Sequence, residues 1–255
     1  MNLPLRRTGL NAQTPFFFSC ARCLRCCHHK KIPVNPYEIT RLAANRGLST
    51  GEFIERYAHD RGTILNWEED GACVFLDSKG CGVHPDRPLV CRLYPLGRHV
   101  FPSGEQKFSE IEPDKGCEGV YSEDGTIAAY LDSQGVRPFA EAADKYLDLF
   151  WKLCSILEKQ AIEPKKQNAI AGVLQGSGSD ECRVDIGFAD VDAIVLAFCE
   201  KLSMVVPNSA EGKMLIHIQA VEAWANSMER RRKHETKKAK KVSSKGRKKS
   251  HKSNH

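Results

Sequence analysis

The sequence has 255 residues, of which 41% are hydrophobic and 27% are charged. This composition excludes a fully disordered chain and supplies enough apolar side chains for one or two folded domains. Thirteen basic residues and one acid, Glu235, lie in residues 230–252, so the overall charge of +6 leaves residues 1–229 at −6. We therefore expect an acidic folded body followed by a basic tail.

The amino-terminal residues lack the pattern of a secretory signal peptide. Arg6 and Arg7 are followed by polar residues, and the only apolar run nearby is Phe16 to Phe18. The sequence has no uncharged apolar stretch long enough to span a membrane, so we expect no contact with a membrane. The predicted compartment is the cytoplasm, where thiols stay reduced and clustered cysteines bind metal more often than they form disulfides.

Four segments are predicted from the composition along the chain. They are an amino-terminal extension (1–19), a cysteine-rich domain (20–120), a helical domain (121–232) and a disordered basic tail (233–255). The predicted fold class is mainly α: a small, irregular, loop-rich N-terminal domain organised by metal, followed by a helical C-terminal half.

Two short helices are predicted within the cysteine-rich domain. The first begins after Asn35, has Glu38 three residues later as in a capping box, and ends at Gly47. The second begins after Ser49, where Glu52 completes a second capping box. The two helices are expected to form a small hairpin packed beside the cysteines.

The second half of the chain shows longer helical patterns. Residues 121–138 are expected to form turns and a short extended piece, and apolar residues then recur at helical spacing from Pro138 to about Gln160. Residues 175–180 (QGSGSD) resemble a flexible linker. Two further helices are predicted at Asp190–Met204 and from Ala210 to about Arg232.

The densest chemical signal is a C-x2-C-x2-C-C run. Two cysteines separated by two residues can turn both sulfur atoms onto one ion, which is why this spacing recurs in zinc and iron–sulfur sites. Further cysteines follow in short apolar or glycine-containing segments, whereas Cys154, Cys182 and Cys199 are scattered singly and are expected to be core or packing thiols. The candidate metal ligands are Cys20, Cys23, Cys26, Cys27, Cys73, Cys81, Cys91 and Cys117.

The spacing favours an iron–sulfur cluster over zinc without excluding zinc. Three cysteines at intervals of three match the first three ligands of a bacterial ferredoxin run, but Cys27 follows Cys26 directly and no Cys-Pro comes after three more residues. Adjacent side chains point apart, so these two cysteines serve either two metals or one metal and its surroundings. Two zinc ions with four thiolates each would use all eight cysteines equally well.

Residues 20 to about 119 resemble the CxxCxxCC family of zinc- or iron-chelating domains. The matching pieces are the Cys20–Cys27 run, Cys-x-Phe-Leu at Cys73, the isolated Cys81, and Arg-Pro-x-x-Cys-Arg-x-Tyr-Pro at 87–95. Cys117 resembles the family's closing Cys-x-Gly, with Glu118 where Pro is common. The resemblance implies metal binding, and one branch of the family includes flagellin lysine methylases. No glycine-rich nucleotide loop supports a methylase here.

The charge of such a site must be balanced by the protein. Four thiolates around a zinc ion or a four-iron cluster leave a net charge of about −2. Five arginines are placed to offset it, or alternatively form ordinary surface ion pairs: Arg22, Arg25, Arg87, Arg92 and Arg98. His28 and His29 either tune the metal or form a solvated turn.

The predicted function is metal binding through clustered cysteines, with an iron–sulfur cluster or Zn²⁺ as cofactor. An iron–sulfur cluster would make the protein a redox or electron-transfer component, or part of an oxidoreductase, with a partner protein. The alternatives are a structural zinc module whose basic tail binds nucleic acid or an acidic protein, and a protein-modifying enzyme by family analogy.

Overall fold

The computed structural model describes residues 5–101, 103–158 and 187–250, with side chains up to residue 230. The linker predicted at 175–180 and Cys182 lie outside these residues. The described residues divide into two compact units, one of residues 5–146 with 187–214 and the other of residues 147–158 with 215–250. This division differs from the predicted boundaries at 120 and 232, because helices that follow residue 120 pack in the same unit as the cysteines.

Short antiparallel strands make up the sheets of the first unit. A three-stranded sheet has the order β1-β8-β7, and the pairs β2-β9, β3-β4 and β5-β6 form smaller ribbons. The strands are β1 (Leu5–Leu10), β2 (Pro15–Ser19), β3 (Ala58–His59), β4 (Ile64–Leu65), β5 (Leu76–Asp77), β6 (Gly80–Cys81), β7 (Leu96–Val100), β8 (Gln106–Ile111) and β9 (Val120–Thr126).

The helices are short near the cysteines and longer in the second half. They are α1 (Pro36–Arg46), α2 (Thr50–Tyr57), α3 (Leu89–Leu93), α4 (Ile127–Ser133), α5 (Arg137–Glu158), α6 (Val191–Leu202) and α7 (Ala210–Ser250). Short 3-10 turns occur at Arg25–Cys27, Asp60–Gly62 and His84–Asp86. No helix in the described part of the chain is long and apolar enough to cross a membrane.

The fold is mixed α/β, so the predicted mainly α class is correct only for the C-terminal half, which is mostly helical. The sheets were missed because their strands pair across long sequence separations. Leu5 in β1 lies opposite Ile111 in β8, and Pro15 in β2 lies opposite Thr126 in β9. The alternation of buried Phe16 and Phe18 with exposed neighbours was the available strand signal. The amino-terminal extension is thus paired into the sheets of the cysteine domain.

The local signals for the two short helices are confirmed. The Asn35 side chain accepts a hydrogen bond from the Glu38 N–H, and Gly47 ends α1 in the left-handed conformation at φ 67°. Ser49 and Glu52 form the second capping box at the start of α2. These features depend only on neighbouring residues, which is why the sequence predicts them well.

The three long helices begin where the sequence predicted, but α7 continues further than expected. The observed bounds of α5 and α6 lie within two residues of the predictions, and Asp190 caps α6 through its side chain. Residues 233–250, predicted to be disordered, continue the helical backbone of α7. Lys and Arg make up nine of these eighteen residues and have good intrinsic helix propensity, which the charge pattern alone did not reveal.

Two hydrophobic cores support the cysteine domain. The first core joins α1 and α2 with the segments that follow them, and the second joins β2, β7, β8 and α4. The first comprises Ile32, Val34, Ile39, Leu42, Ala43, Phe53, Leu65, Phe75, Val83 and Ala189. The second comprises Phe16, Phe18, Leu96, Phe108, Ile127 and Tyr130.

A buried carboxyl group connects two helices next to the first core. Glu38 is 2% exposed, and its two oxygens accept hydrogen bonds from the main-chain N–H groups of Asn35, at 2.8 Å, and Leu89, at 2.6 Å. One side chain therefore caps α1 and also holds the first residue of α3, the helix that carries Cys91. Burial raises the pKa of Glu38 from 4.5 to about 7.

We predict that Glu38 makes the stability of the fold depend on pH between about 4.5 and 7. Because the folded-state pKa is above the unfolded value, the carboxyl binds its proton more tightly when folded, and stability falls as pH rises through this range. One pKa unit corresponds to about 1.4 kcal/mol, so the total loss is on the order of 3 kcal/mol. Urea denaturation of the reduced chain at several pH values measures it.

Glu38→Gln should remove this slope, and at pH 5 it should cost about 1–3 kcal/mol because one main-chain N–H loses its acceptor. Glu55→Gln on the exposed face of α2 is the matched control and should keep the wild-type slope. Equal slopes in the wild type and Glu38→Gln would contradict this role.

Candidate metal centre

The C-x2-C-x2-C-C run forms a loop directly after β2. Three non-glycine residues of this loop have left-handed backbone conformations: Arg22 (φ 54°), Leu24 (φ 62°) and His29 (φ 54°). Between them, residues 25–27 form a single 3-10 turn. Residues other than glycine rarely adopt positive φ without a compensating interaction, and such backbone strain concentrates at binding sites. The loop is therefore held in a tightly coiled path that the sequence alone does not favour.

Main-chain hydrogen bonds join this loop to the segment that contains Cys73. The Cys73 N–H donates to the Cys27 carbonyl at 2.8 Å, and the His29 N–H donates to the Gly71 carbonyl at 2.7 Å. The β5-β6 ribbon follows and pairs Leu76 with Cys81. The chain thus returns distant cysteines to the same neighbourhood through backbone pairing.

The inner thiol group consists of Cys27, Cys73, Cys81 and Cys91. Cys73, Cys81 and Cys91 pack against the first hydrophobic core. Burial raises the pKa of Cys91 and of Cys73, and the neighbouring thiols raise both pKa values further. The pKa of Cys27 is raised by its hydrogen bond with Cys26, by burial and by the neighbouring thiols. Thiolates in this environment are costly unless a cation is present, since a metal ion lowers the pKa of the cysteines that bind it.

The outer thiol group consists of Cys20, Cys23 and Cys117. The sulfur atoms of Cys23 and Cys117 lie 4.0 Å apart, and Cys117 packs against the second hydrophobic core. Cys20 is exposed, whereas Cys23 and Cys117 are partly buried. The structure therefore brings Cys117, the last cysteine of the domain, to the run that begins it.

Cys26 lies between the two groups. Its sulfur is hydrogen-bonded to the neighbouring Cys27 thiol, which lowers the pKa of Cys26 to about 7 and raises that of Cys27. Cys26 is also near enough for its charge to raise the pKa of Cys91 and of Cys117. This lowered pKa favours the thiolate form of Cys26, and Cys26 adjoins both groups.

Four of the thiols accept a main-chain hydrogen bond from the residue two positions further along. The Arg22 N–H donates to Cys20 Sγ and the Gly119 N–H to Cys117 Sγ, each at 3.4 Å. The Arg25 N–H donates to the Cys23 sulfur in the same way and lowers the pKa of Cys23. The Phe75 N–H donates to the Cys73 sulfur and opposes the rise in the pKa of Cys73. N–H groups directed at sulfur stabilise negative charge there, as they do around thiolate-bound metals.

An acidic side chain that the sequence analysis did not single out lies beside these thiols. Asp114 opens the turn that ends at Cys117, whose N–H donates to the Asp114 carbonyl at 2.8 Å. One carboxylate oxygen of Asp114 bonds Lys30 Nζ at 2.6 Å. The other, Oδ2, is buried and has no hydrogen-bond partner among the described residues. In the sequence, this turn was signalled by an acidic residue and a glycine shortly before Cys117, in residues 114–117.

The donor set fits zinc or iron by its chemistry. Cysteine thiols come from five segments of the chain, and beside Cys26 the Asp114 side chain adds a buried carboxylate oxygen that has no hydrogen-bond partner among the described residues. Within the described residues, however, no three Cys, His, Asp or Glu side chains are arranged to hold one ion as they stand. The eight-cysteine ligand set therefore stays a prediction.

Three of the five arginines serve the scaffold. The buried Arg92 guanidinium donates to the carbonyls of Pro85, Arg87 and Gln134, and burial lowers its pKa to about 10. Arg98 forms a two-bond ion pair with Asp144, at 2.8 and 2.7 Å, and Arg87 bonds Gln134. Arg22 and Arg25 remain as exposed charges on the cysteine loop itself.

The His28 ring makes a contact within the loop. A ring nitrogen of His28 lies 3.1 Å from the Leu24 carbonyl, so this ring is engaged with its own loop. His29 is exposed and lies at one of the left-handed positions. This arrangement favours the turn interpretation for both residues over metal ligation.

Comparison with known proteins agrees with the cysteine pattern. Residues 19–118 match the model of the CxxCxxCC family, described as a "Putative zinc- or iron-chelating domain". The limits of this match confirm the resemblance drawn over residues 20 to about 119, and residues 19–118 are similar to zinc- or iron-chelating domains.

The chain is also similar to Uncharacterized protein MJ0661 from Methanocaldococcus jannaschii. The two are 29% identical over 134 residues, which cover 51% of this chain and 70% of that protein. No solved structure matches the chain.

We predict that Cys91→Ser lowers the affinity of the reduced chain for Zn²⁺ by at least about tenfold, because a buried member of the inner thiol group is lost. Competition with a coloured chelator measures the affinity. Cys199→Ser is the matched control, since Cys199 is 1% exposed, lies in α6 outside the domain, and should leave the affinity unchanged. Equal losses in the two variants would show that the effect is a general loss of packing.

Proposed function

We propose that the CxxCxxCC domain holds an iron–sulfur cluster through its clustered cysteines and acts as a one-electron redox component. The observation that carries this proposal is the set of main-chain N–H groups directed at the sulfur atoms of Cys20, Cys23, Cys73 and Cys117. Hydrogen bonds to cysteine sulfur are one of the means by which proteins set the reduction potential of iron–sulfur clusters.

The arrangement of the run also supports a cluster. Three cysteines at intervals of three lie in one coiled loop, and the remaining thiols approach it from other segments. This is how a ferredoxin loop supplies three ligands while the fourth comes from elsewhere in the chain. When bound, such a cluster supplies reversible one-electron transfer, and the thiolates of this loop would anchor it.

The outer thiol group gives the centre an edge near the protein surface. Cys20 is exposed, and Arg22 and Arg25 extend from the same loop into solvent. Electron exchange needs a short approach between centres, and a positive rim attracts a negatively charged surface. We propose an acidic redox protein as the partner that docks at this edge.

The protein purified without oxygen should be brown, with broad absorption near about 400 nm from thiolate-to-iron charge transfer. Elemental analysis should find iron together with acid-labile sulfide. Colourless protein that releases zinc when its thiols are modified would contradict the cluster and favour two thiolate zinc sites. The Cys91→Ser chain purified in the same way is the control and should contain less iron.

A second activity is proposed for the C-terminal helix, separately from the metal centre. Helix α7 continues without interruption to Ser250, and residues 230–252 contain thirteen basic residues and one acid. Lys and Arg side chains that neutralise phosphates release the counterions condensed on duplex nucleic acid, which favours binding at low salt. The sequence has no aromatic residue after Trp224, so base stacking is not expected. We propose salt-sensitive binding to nucleic acid without sequence preference.

Deletion of residues 233–255 should abolish retention of the protein on duplex DNA or RNA at low salt, because most of the phosphate-binding charge is removed. Gel-shift titration at several salt concentrations measures this, and the full chain should bind more weakly as salt increases. Unchanged retention after the deletion would overturn the assignment. The iron content should be the same in both chains.

A further inference from the structure

The Asp114 carboxylate is placed on the cysteine cluster by the backbone on either side of it. The turn of residues 114–117 fixes Asp114 next to Cys117, and the Asp114 N–H donates to the Tyr94 hydroxyl at 3.3 Å. The sulfur of Cys117 lies 4.0 Å from that of Cys23. Asp114 thus shares its turn with a member of the outer thiol group, and it lies near enough to Cys26 for its charge to act on that thiol.

The two oxygens of this carboxylate have different surroundings. Oδ1 pairs with the ammonium group of Lys30, which follows the cysteine run. Oδ2 is the one buried side-chain oxygen or nitrogen without a hydrogen-bond partner among the described residues. A buried carboxylate oxygen without a hydrogen-bond partner is costly, so Oδ2 is the atom of this side chain that is available to a cation. The ammonium of Lys30 is already engaged on the other oxygen.

We infer that Asp114 is an oxygen ligand of the metal centre, supplied through Oδ2 to a metal that Cys23, Cys26 and Cys117 hold. This inference rests on the proposed metal binding and goes beyond a ligand set made of cysteines alone. Carboxylate oxygen is an established ligand of both zinc and iron. Lys30 keeps the carboxylate oriented and partly balances the added negative charge.

The test compares Asp114→Asn with Lys30→Gln in the full chain, with Zn²⁺ as the probe. Both variants break the same ion pair, but only the first removes the carboxylate. Affinity for Zn²⁺ should fall by at least about tenfold in Asp114→Asn. It should stay within about fivefold of the wild type in Lys30→Gln, since a partly exposed ion pair contributes little. Equal affinities in Asp114→Asn and the wild type, or equal losses in both variants, would overturn the inference.

X-ray absorption at the zinc edge provides a measurement on the wild-type chain that needs no variant to fold. We expect an oxygen scatterer at about 2.0–2.2 Å beside sulfur scatterers at about 2.3 Å. The oxygen scatterer should disappear in Asp114→Asn. An all-sulfur shell, or a light scatterer that persists in the variant, would overturn the role of Asp114. A wild-type chain that takes up no zinc or iron would contradict the proposed function itself, together with this inference.

Discussion

The main-chain bond from the Cys73 N–H to the Cys27 carbonyl is the contact on which the cysteine domain depends. This bond joins the coiled loop of the cysteine run to the segment that leads into the β5-β6 ribbon. A second main-chain bond, from the His29 N–H to the Gly71 carbonyl, joins the same two segments. This pairing places Cys27 next to the segment of Cys73, while the first hydrophobic core supports Cys73, Cys81 and Cys91. Backbone pairing and core packing together therefore determine which thiols become neighbours.

The scaffold around that contact consists of buried polar groups with complete hydrogen bonding. Glu38 holds the start of the helix that carries Cys91, and Arg92 satisfies three carbonyls from two segments while its guanidinium lies 3.9 Å from the Phe139 ring centroid. Such groups are expensive to bury singly but rigid once every atom is paired. They allow a domain with small sheets and short helices to position several thiols.

The sequence predicted what depends on neighbouring residues. Asn35 and Ser49 cap their helices as expected, and the cysteine run identified the metal-binding domain, because both signals are contained in a few consecutive positions. The sheets were missed because β1 and β2 find their partners about one hundred residues further along the chain. Asp114 was missed for a related reason: its proximity to Cys26 and Lys30 arises from folding and has no fixed spacing in the sequence.

The two thiol groups give the adjacent residues Cys26 and Cys27 different surroundings. Cys27 belongs with the thiols that pack on the first core, while Cys26 also adjoins the group that reaches the surface. Buried thiols favour a closed site, and exposed thiols allow a partner to approach. The Cys26-Cys27 pair therefore lies where the buried and the exposed thiols meet.

Native mass spectrometry of the full chain, expressed and purified without oxygen, tests the central claim most directly, since the intact mass counts bound metal, inorganic sulfide and the protons lost from thiols together. The account predicts a mass increment of iron and sulfide that disappears when the chain is acidified. A chain with the mass of the unmodified polypeptide, with the eight cysteines of the domain still protonated and no metal bound, would contradict it.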